Sequence, residues 1–124
     1  MLTVARCGTR DLGRAKSFYD AITALLGAKR VLDRPDVAGY KGPEGGMFLI
    51  GTPLAGAASV GNGTQMGFAA QTRAIVDAVH AKALSLGGTC EGPPGVRGPD
   101  PNGFYGAYFR DLDGNKLCVF TMAG

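Results

Sequence analysis

A helical stretch that ends in Leu-Gly occurs twice in the chain, 60 residues apart, at 26–27 and at 86–87. Each stretch follows a short apolar run, 2–8 or 65–70, and precedes three further strand candidates. These candidates are 28–34, 37–42 and 46–51 in the first half and 88–92, 104–110 and 116–122 in the second. The sequence therefore predicts the order strand-helix-strand-strand-strand twice.

Both helices carry one apolar stripe and clear end signals. Asp11 is a good N-cap for the first helix and Thr72 for the second, because their side-chain oxygens can accept from free backbone N–H groups. Gly27 and Gly87 follow the helices at the position where glycine commonly ends a helix. The apolar stripes consist of Leu12, Ala15, Phe18, Tyr19, Ile22, Leu25 and Leu26 in the first helix, and Ile75, Val76, Val79, Ala83 and Leu86 in the second.

The repeat predicts how the two halves combine. A half of this size is marginal alone, and its sheet would leave one face uncovered. We therefore expect a single α+β domain, 1–124, made of module one (1–52), a Gly/Ala/Ser-rich linker (53–63) and module two (64–124). Two βαβββ modules side by side would form one open, cavity-containing mixed β-barrel with the helices outside. A cavity between two such halves is a common place for a ligand.

Composition excludes several classes of protein. Of 124 residues, 45% are hydrophobic and 19% charged, which is typical of a globular domain. No apolar run is long enough to cross a bilayer, and the N-terminus lacks the layout of a signal peptide, so a cytoplasmic protein with no membrane partner is expected. The three cysteines are odd in number and have no paired spacing, so disulfides are not expected. The net charge is only +3, and the Lys and Arg residues are not interleaved with aromatic residues, so no nucleic-acid partner is expected.

The stretch 103–120 predicts a hairpin with the polar turn Asp111-Leu-Asp-Gly-Asn115, whose residues suit tight turns. This hairpin, the segment Asp11-Leu-Gly-Arg-Ala-Lys-Ser-Phe-Tyr19 and the doubled pattern resemble the glyoxalase I/bleomycin-resistance/extradiol-dioxygenase (vicinal oxygen chelate) superfamily. The resemblance covers nearly the whole chain. It implies paired βαβββ modules and a homodimer.

The resemblance also implies where a metal would be held. Enzymes of this superfamily typically bind a divalent metal through His, Gln and Glu on the first and last strands of each module. The matching positions here are Val4, Gln65 and Cys118, and the fourth, within 47–50, has no carboxylate. The chain has one His, His80, which is predicted at the flank of the second helix, outside the barrel interior. We expect no cofactor and no standard metal site, and Gln65 and Cys118 remain the residual candidates for a divalent metal.

Five side chains are the candidates for lining the cavity. Cys118 and Gln65 occupy family ligand positions, and Arg97 is the one cation of a Gly/Pro-rich segment, 91–103, that is predicted to be a flap at the cavity mouth. Tyr105 and Tyr108 lie on the seventh strand, whose alternate side chains face opposite sides. The sequence leaves open whether 105 and 109 or 108 and 110 point inward.

Three functions are consistent with these features. The first is metal-independent binding of a small neutral or anionic molecule in the inter-module cavity, with the net positive charge favouring an anion over a cation. The alternative is a metal-dependent lyase like glyoxalase I, or a dioxygenase, with a non-standard site. The third is a non-catalytic assembly domain whose cavity is filled by its own side chains.

Overall fold

The computed structural model describes residues 1–124 and contains two helices and eight strands. In chain order these are β1 (Val4–Gly8), α1 (Leu12–Leu25), β2 (Lys29–Asp33), β3 (Val37–Lys41), β4 (Met47–Gly51), β5 (Met66–Ala69), α2 (Arg73–Ser85), β6 (Thr89–Val96), β7 (Tyr105–Arg110) and β8 (Lys116–Thr121). The order βαβββ therefore occurs twice, as the repeat predicts.

The helices form where their local signals place them. The Asp11 side chain accepts from the backbone N–H of Arg14, and Thr72 does the same for Ile75. Gly27 and Gly87 follow the two helices with φ of +73° and +101°, a left-handed conformation that a side chain would resist. Neither helix combines the length and the apolar character that crossing a membrane requires.

Each module forms a four-stranded sheet of its own. The strand orders are β1-β4-β3-β2 and β5-β8-β7-β6, and the first pair of each order is parallel while the others are antiparallel. No backbone hydrogen bond joins the edge strand β1 to the edge strand β5, so the two sheets do not close into a complete barrel. The architecture is the predicted α+β fold of two βαβββ modules.

One apolar core runs through both modules on the helix side of the sheets. Phe18 of α1 packs against Phe109 of β7, with ring centroids 6.4 Å apart. Phe48 of β4 contacts Phe68 of β5 edge-to-face at 5.1 Å. Such aromatic pairs contribute beyond the area that they bury. The two modules thus share buried rings at two separate places.

Polar contacts from the β7–β8 turn also bind the modules together. Asp113 accepts hydrogen bonds from the Thr9 hydroxyl at 2.6 Å and from the Arg10 backbone N–H at 2.9 Å. Asn115 donates through its side-chain amide to the carbonyl of Gly8 at 2.9 Å. The turn of module two therefore satisfies backbone and side-chain groups at the end of β1 of module one and just after it, where the chain enters α1.

Strand β6 is longer than predicted and includes part of the expected flap. Its pairing with β7 continues to Val96, although Pro93 and Pro94 cannot donate to the ladder. The register shifts between Cys90 and Gly92 and again after Gly92, so the prolines fall in the irregular stretch of an edge strand. The remaining part of the segment, 97–103, connects β6 to β7 outside the sheet.

Candidate functional site

The two faces of the second sheet have different surroundings. Ala107 and Phe109 of β7 are fully buried in the core on the helix side. Tyr108 and Arg110 alternate with them and therefore point to the other side. We call this other side of the second sheet the open face, because no helix packs on it. Its side chains are Phe104, Tyr108, Arg110, Lys116, Cys118 and Phe120, joined by Glu91 and Arg97.

Two cations lie against one aromatic ring on the open face. The Arg97 guanidinium carbon is 5.5 Å from the ring centroid of Tyr108, and the Lys116 ammonium is 5.6 Å from the same centroid. Both distances are within the range of a cation–π interaction. Arg97 also donates to the carbonyl of Pro93 at 2.7 Å, which fixes its side chain beside β6. Neither cation forms a salt bridge.

A third cation, Arg110, has its charge balanced. It donates hydrogen bonds to the carboxylate of Glu91 on the neighbouring strand and to the carbonyl of Gly114. The hydrogen bond from Arg110 lowers the pKa of Glu91, so that this carboxylate is charged at neutral pH. The positive charge without a partner on the open face is therefore that of Arg97 and Lys116.

Cys118 lies beneath these side chains and is only 3% exposed. It is directly opposite Tyr108 in the pairing of β7 with β8. Burial raises the pKa of its thiol, although Tyr108, Arg97 and Lys116 act in the opposite direction. The thiol is therefore protonated at neutral pH and contributes to packing on this face rather than acting as a nucleophile.

An aromatic pair occupies the other end of the open face. The rings of Phe104 and Phe120 are stacked, with centroids 5.3 Å apart and an interplanar angle of 11°. The Phe104 ring lies over Gly106, where an added Cβ would be 2.6 Å from it, so a larger residue would displace this ring. The open face thus has an apolar aromatic end beside the cationic centre at Tyr108.

A groove continues the cationic end toward the linker. It has a volume of about 390 Å³ and lies between residues 60–64 and the side chains of Gln65, Arg110 and Lys116. The Gln65 amide makes no hydrogen bond within the chain. Its donor and acceptor are therefore free for a ligand in this groove.

The structure brings four of the five candidate residues to one side of the second sheet, and Tyr105 is the exception. The Tyr105 hydroxyl donates to Asp77 of α2 at 2.6 Å, and Arg73 of the same helix lies over its ring. Tyr105 therefore faces the helices, because it alternates with Tyr108. Four side chains of the open face were not predicted: Lys116, Phe104, Phe120 and Glu91. Lys116 and Phe120 are two residues from Cys118, so the alternation of a strand is the signal that could have identified them.

Comparison with known proteins identifies the family of this chain. Residues 3–119 match the family model of the Glyoxalase/Bleomycin resistance protein/Dioxygenase superfamily. The chain belongs to this superfamily. No curated protein matches it.

Solved structures of the glyoxalase/bleomycin-resistance superfamily share the fold along the whole chain. A glyoxalase/bleomycin resistance protein from Albidiferax ferrireducens T118 is 41% identical, with a TM-score of 0.88 and 98% of both chains covered. A lactoylglutathione lyase from Agrobacterium tumefaciens is 25% identical, with a TM-score of 0.65, over 98% of this chain and 92% of the other. TioX from Micromonospora sp. ML1 is 17% identical, with a TM-score of 0.68 and 98% of both chains covered, which shows likeness of fold alone.

The residues of this superfamily member do not fit the divalent metal that the resemblance implies. No three His, Cys, Asp or Glu side chains lie close enough together to hold an ion. Val4 offers no donor atom, and Cys118 is a buried, protonated thiol. His80 is buried in α2, where burial lowers the pKa of its ring. Gln65 is then the one conventional ligand, and one amide oxygen does not make a site for such an ion.

Proposed function

We propose that this protein binds a small anionic molecule with an apolar or aromatic part on the open face of the second sheet, without a metal. The observation that carries the proposal is the pair of cations, Arg97 and Lys116, which lie 5.5 and 5.6 Å from the centroid of the Tyr108 ring. Neither has a carboxylate partner, whereas Glu91 already neutralises Arg110. A carboxylate, sulfonate or phosphate would supply the missing negative charge.

The arrangement of the face supports a ligand with two different ends. An anionic group near Arg97 and Lys116 would be within reach of the free amide of Gln65 in the adjoining groove. An apolar or aromatic body would extend over the stacked rings of Phe104 and Phe120. Sites for small molecules commonly combine an apolar wall with a few polar groups that fix orientation.

Two other functions are less well supported. A glyoxalase I-like lyase or a dioxygenase would require a metal, and the donor atoms at the family positions do not suit one. The lactoylglutathione lyase with the same fold is only 25% identical to this chain. A domain used for assembly alone would fill its recesses with its own side chains, whereas two of about 390 Å³ each are open here.

A homodimer belongs to the same proposal, on the basis of the family resemblance. A second copy of the chain would shield the open face from water and strengthen the attraction between its cations and an anion. Light scattering coupled to gel filtration would measure the mass in solution. A monomer would remove this part of the proposal and leave the binding face unchanged.

The binding proposal is tested with 8-anilinonaphthalene-1-sulfonate, an aromatic sulfonate whose fluorescence rises in apolar surroundings. The chain has no tryptophan, so the probe signal is easily separated from that of the protein. We expect Arg97→Ala and Lys116→Ala each to weaken binding about five-fold or more, in line with the loss of a charged contact. Added salt should weaken binding to the unmodified protein, since much of the attraction is between charges.

The matched control is Lys82→Ala, which removes the same charge from the exposed side of α2. Its binding should equal that of the unmodified protein. If all three variants weaken binding equally, the probe responds to net charge and the open face is not a site. A chelator should leave binding unchanged, and a stoichiometric divalent ion found by elemental analysis would contradict the metal-independent part of the proposal.

A further inference from the structure

A second recess of about 390 Å³ lies between the modules, at the gap between the two sheets. It is bounded by the two edge strands β1 and β5, which form no hydrogen bonds with each other. The C-terminal part of α1 and the β3–β4 turn, 42–46, complete its walls. We call this recess the inter-module cleft. It adjoins the groove of the open face at Gln65, which lines both recesses, but its apolar walls at Phe48 and Phe68 belong to the helix-side core.

The walls of the inter-module cleft are largely apolar. Tyr40 lines it, but its hydroxyl donates to Asp20 at 2.7 Å and so is already used. The Thr23 hydroxyl likewise donates to the carbonyl of Tyr19 at 2.5 Å. Glu44, on the turn at the rim, is the one charged residue among those that line the cleft. A charged ligand would lose its hydration here without gaining a counter-ion, so an uncharged one is favoured.

A few polar groups remain free at the edge of the cleft. Gln71 lines it together with Gln65, and the amide of Gln71, like that of Gln65, makes no hydrogen bond within the chain. The outer edges of β1 and β5 also carry backbone groups that no neighbouring strand uses. A ligand with an apolar body and one or two uncharged hydrogen-bonding groups would match this distribution. The volume is within the range of small-molecule sites.

We infer that the inter-module cleft is a second binding site, which takes an uncharged, mostly apolar small molecule of a different class from the anion on the open face. The two sites select opposite chemistry, because one has two unpaired cations and the other has almost no charge. One chain could therefore bind two small molecules of different chemistry.

The test uses N-phenyl-1-naphthylamine, which is the sulfonate probe without its charged group. Fluorescence titration should show one binding site on the unmodified protein. Ala28→Phe and Ala5→Phe place a bulky ring in the cleft from the α1–β2 connection and from β1, and each should weaken binding about ten-fold or more. Ala5 is half-buried on an edge strand, and circular dichroism with a thermal melt verifies that both variants fold.

Controls separate the two sites. Ala81→Phe adds the same ring to the exposed side of α2 and should leave neutral-probe binding unchanged. Arg97→Ala and Lys116→Ala should also leave it unchanged, while the two cleft variants should still bind the sulfonate probe. Failure of sulfonate binding would therefore count against the open face alone.

Three results would overturn the inference. The first is a neutral probe that does not bind, and the second is cleft variants that bind it as well as the unmodified protein does. The third is a neutral probe that competes with the sulfonate and is lost in Lys116→Ala, which would assign both probes to the open face. If the neutral probe does not bind and Ala5→Phe converts a dimer to a monomer, the cleft is covered by a second copy instead.

Discussion

The phenolic oxygen of Tyr19 lies 2.5 Å from Oδ2 of Asp111, and this hydrogen bond joins α1 of module one to the β7–β8 turn of module two. Both side chains are buried, at 1% and 5% exposure. Burial, and then the Asp111 carboxylate itself, raise the pKa of Tyr19 well above its ordinary value, so the phenol remains a donor. Asp111 also accepts from the Asn115 amide and from two backbone N–H groups of its turn.

Tyr19→Phe should destabilise the protein by about 1–3 kcal/mol, because it leaves a buried carboxylate with one partner fewer. Urea denaturation followed by circular dichroism measures the change. Tyr105→Phe is the matched control, since it removes a hydroxyl that donates to Asp77 in an exposed position. Its cost should be below about 1 kcal/mol. If both variants lose the same free energy of unfolding, the buried hydrogen bond between the modules contributes no more than the exposed one.

Stability should fall in acid partly because of Asp113. Burial raises its pKa, but hydrogen bonds from Thr9 and Arg10 outweigh burial and hold the pKa below its ordinary value. A carboxylate with a lowered folded pKa stabilises the fold above its unfolded pKa, about 3.9 for Asp. That contribution is lost as the pH falls from there through the folded pKa.

Asp113→Asn should therefore be less stable at neutral pH and should lose less stability between about pH 5 and pH 2. Urea midpoints measured across this range give the comparison. Asp36→Asn serves as the control, because Asp36 is exposed and only its backbone carbonyl is used in contacts. If the urea midpoints of the two variants fall equally as the pH is lowered, the contacts of Asp113 with module one do not determine the loss of stability in acid.

The ring of Tyr108, rather than its hydroxyl, should matter for anion binding. Tyr108→Leu removes the ring that holds Arg97 and Lys116, and sulfonate-probe binding should weaken about two- to five-fold. Tyr108→Phe keeps the ring and should bind nearly as well as the unmodified protein. Tyr105→Leu, on the helix side of the same strand, should leave the affinity unchanged. Weaker binding in Tyr108→Phe would show that the hydroxyl contacts the ligand.

The three thiols should react at very different rates with a disulfide reagent. Cys90 is exposed, whereas Cys7 and Cys118 are buried. Burial, together with Asp111, raises the pKa of Cys7 to about 11, which further slows its reaction. One thiol per chain should react rapidly in the native protein and all three in urea. Cys90→Ser should abolish the fast phase, and a fast phase that survives would identify Cys118 as accessible.

The ends of the helices were predictable because their signals are local. Asp11 and Thr72 cap the helices by contacts to residues three positions away, and Gly27 and Gly87 end them through their own backbone conformation. The repeat of these signals was enough to predict both modules. The length of β6 was predicted poorly, because its prolines are accommodated by bulges and by an unpaired edge.

The candidate site depended on contacts between distant residues. Tyr108 faces away from the helices because Phe109 packs against Phe18 of the other module, and no local pattern encodes that contact. The pairing of Tyr108 with Cys118 then determines which side chains share the open face. A cavity between the modules was predicted, but the residues that line the inter-module cleft were not, because they come from strands that are far apart in sequence.

The last hairpin turn of each module holds an equivalent position in the repeat, but the two turns make different contacts. The β7–β8 turn is fixed to module one through Asp113 and Asn115, whereas the β3–β4 turn, 42–46, forms the rim of the inter-module cleft. Gly45 and Gly46 of that rim have φ of +83° and +77°, which a side chain would resist, although an added Cβ would meet no atom within 4 Å. A change of length at 42–46 would therefore alter the rim of the cleft, whereas one at 111–115 would remove hydrogen bonds between the modules. The two equivalent turns should therefore tolerate insertions and deletions unequally.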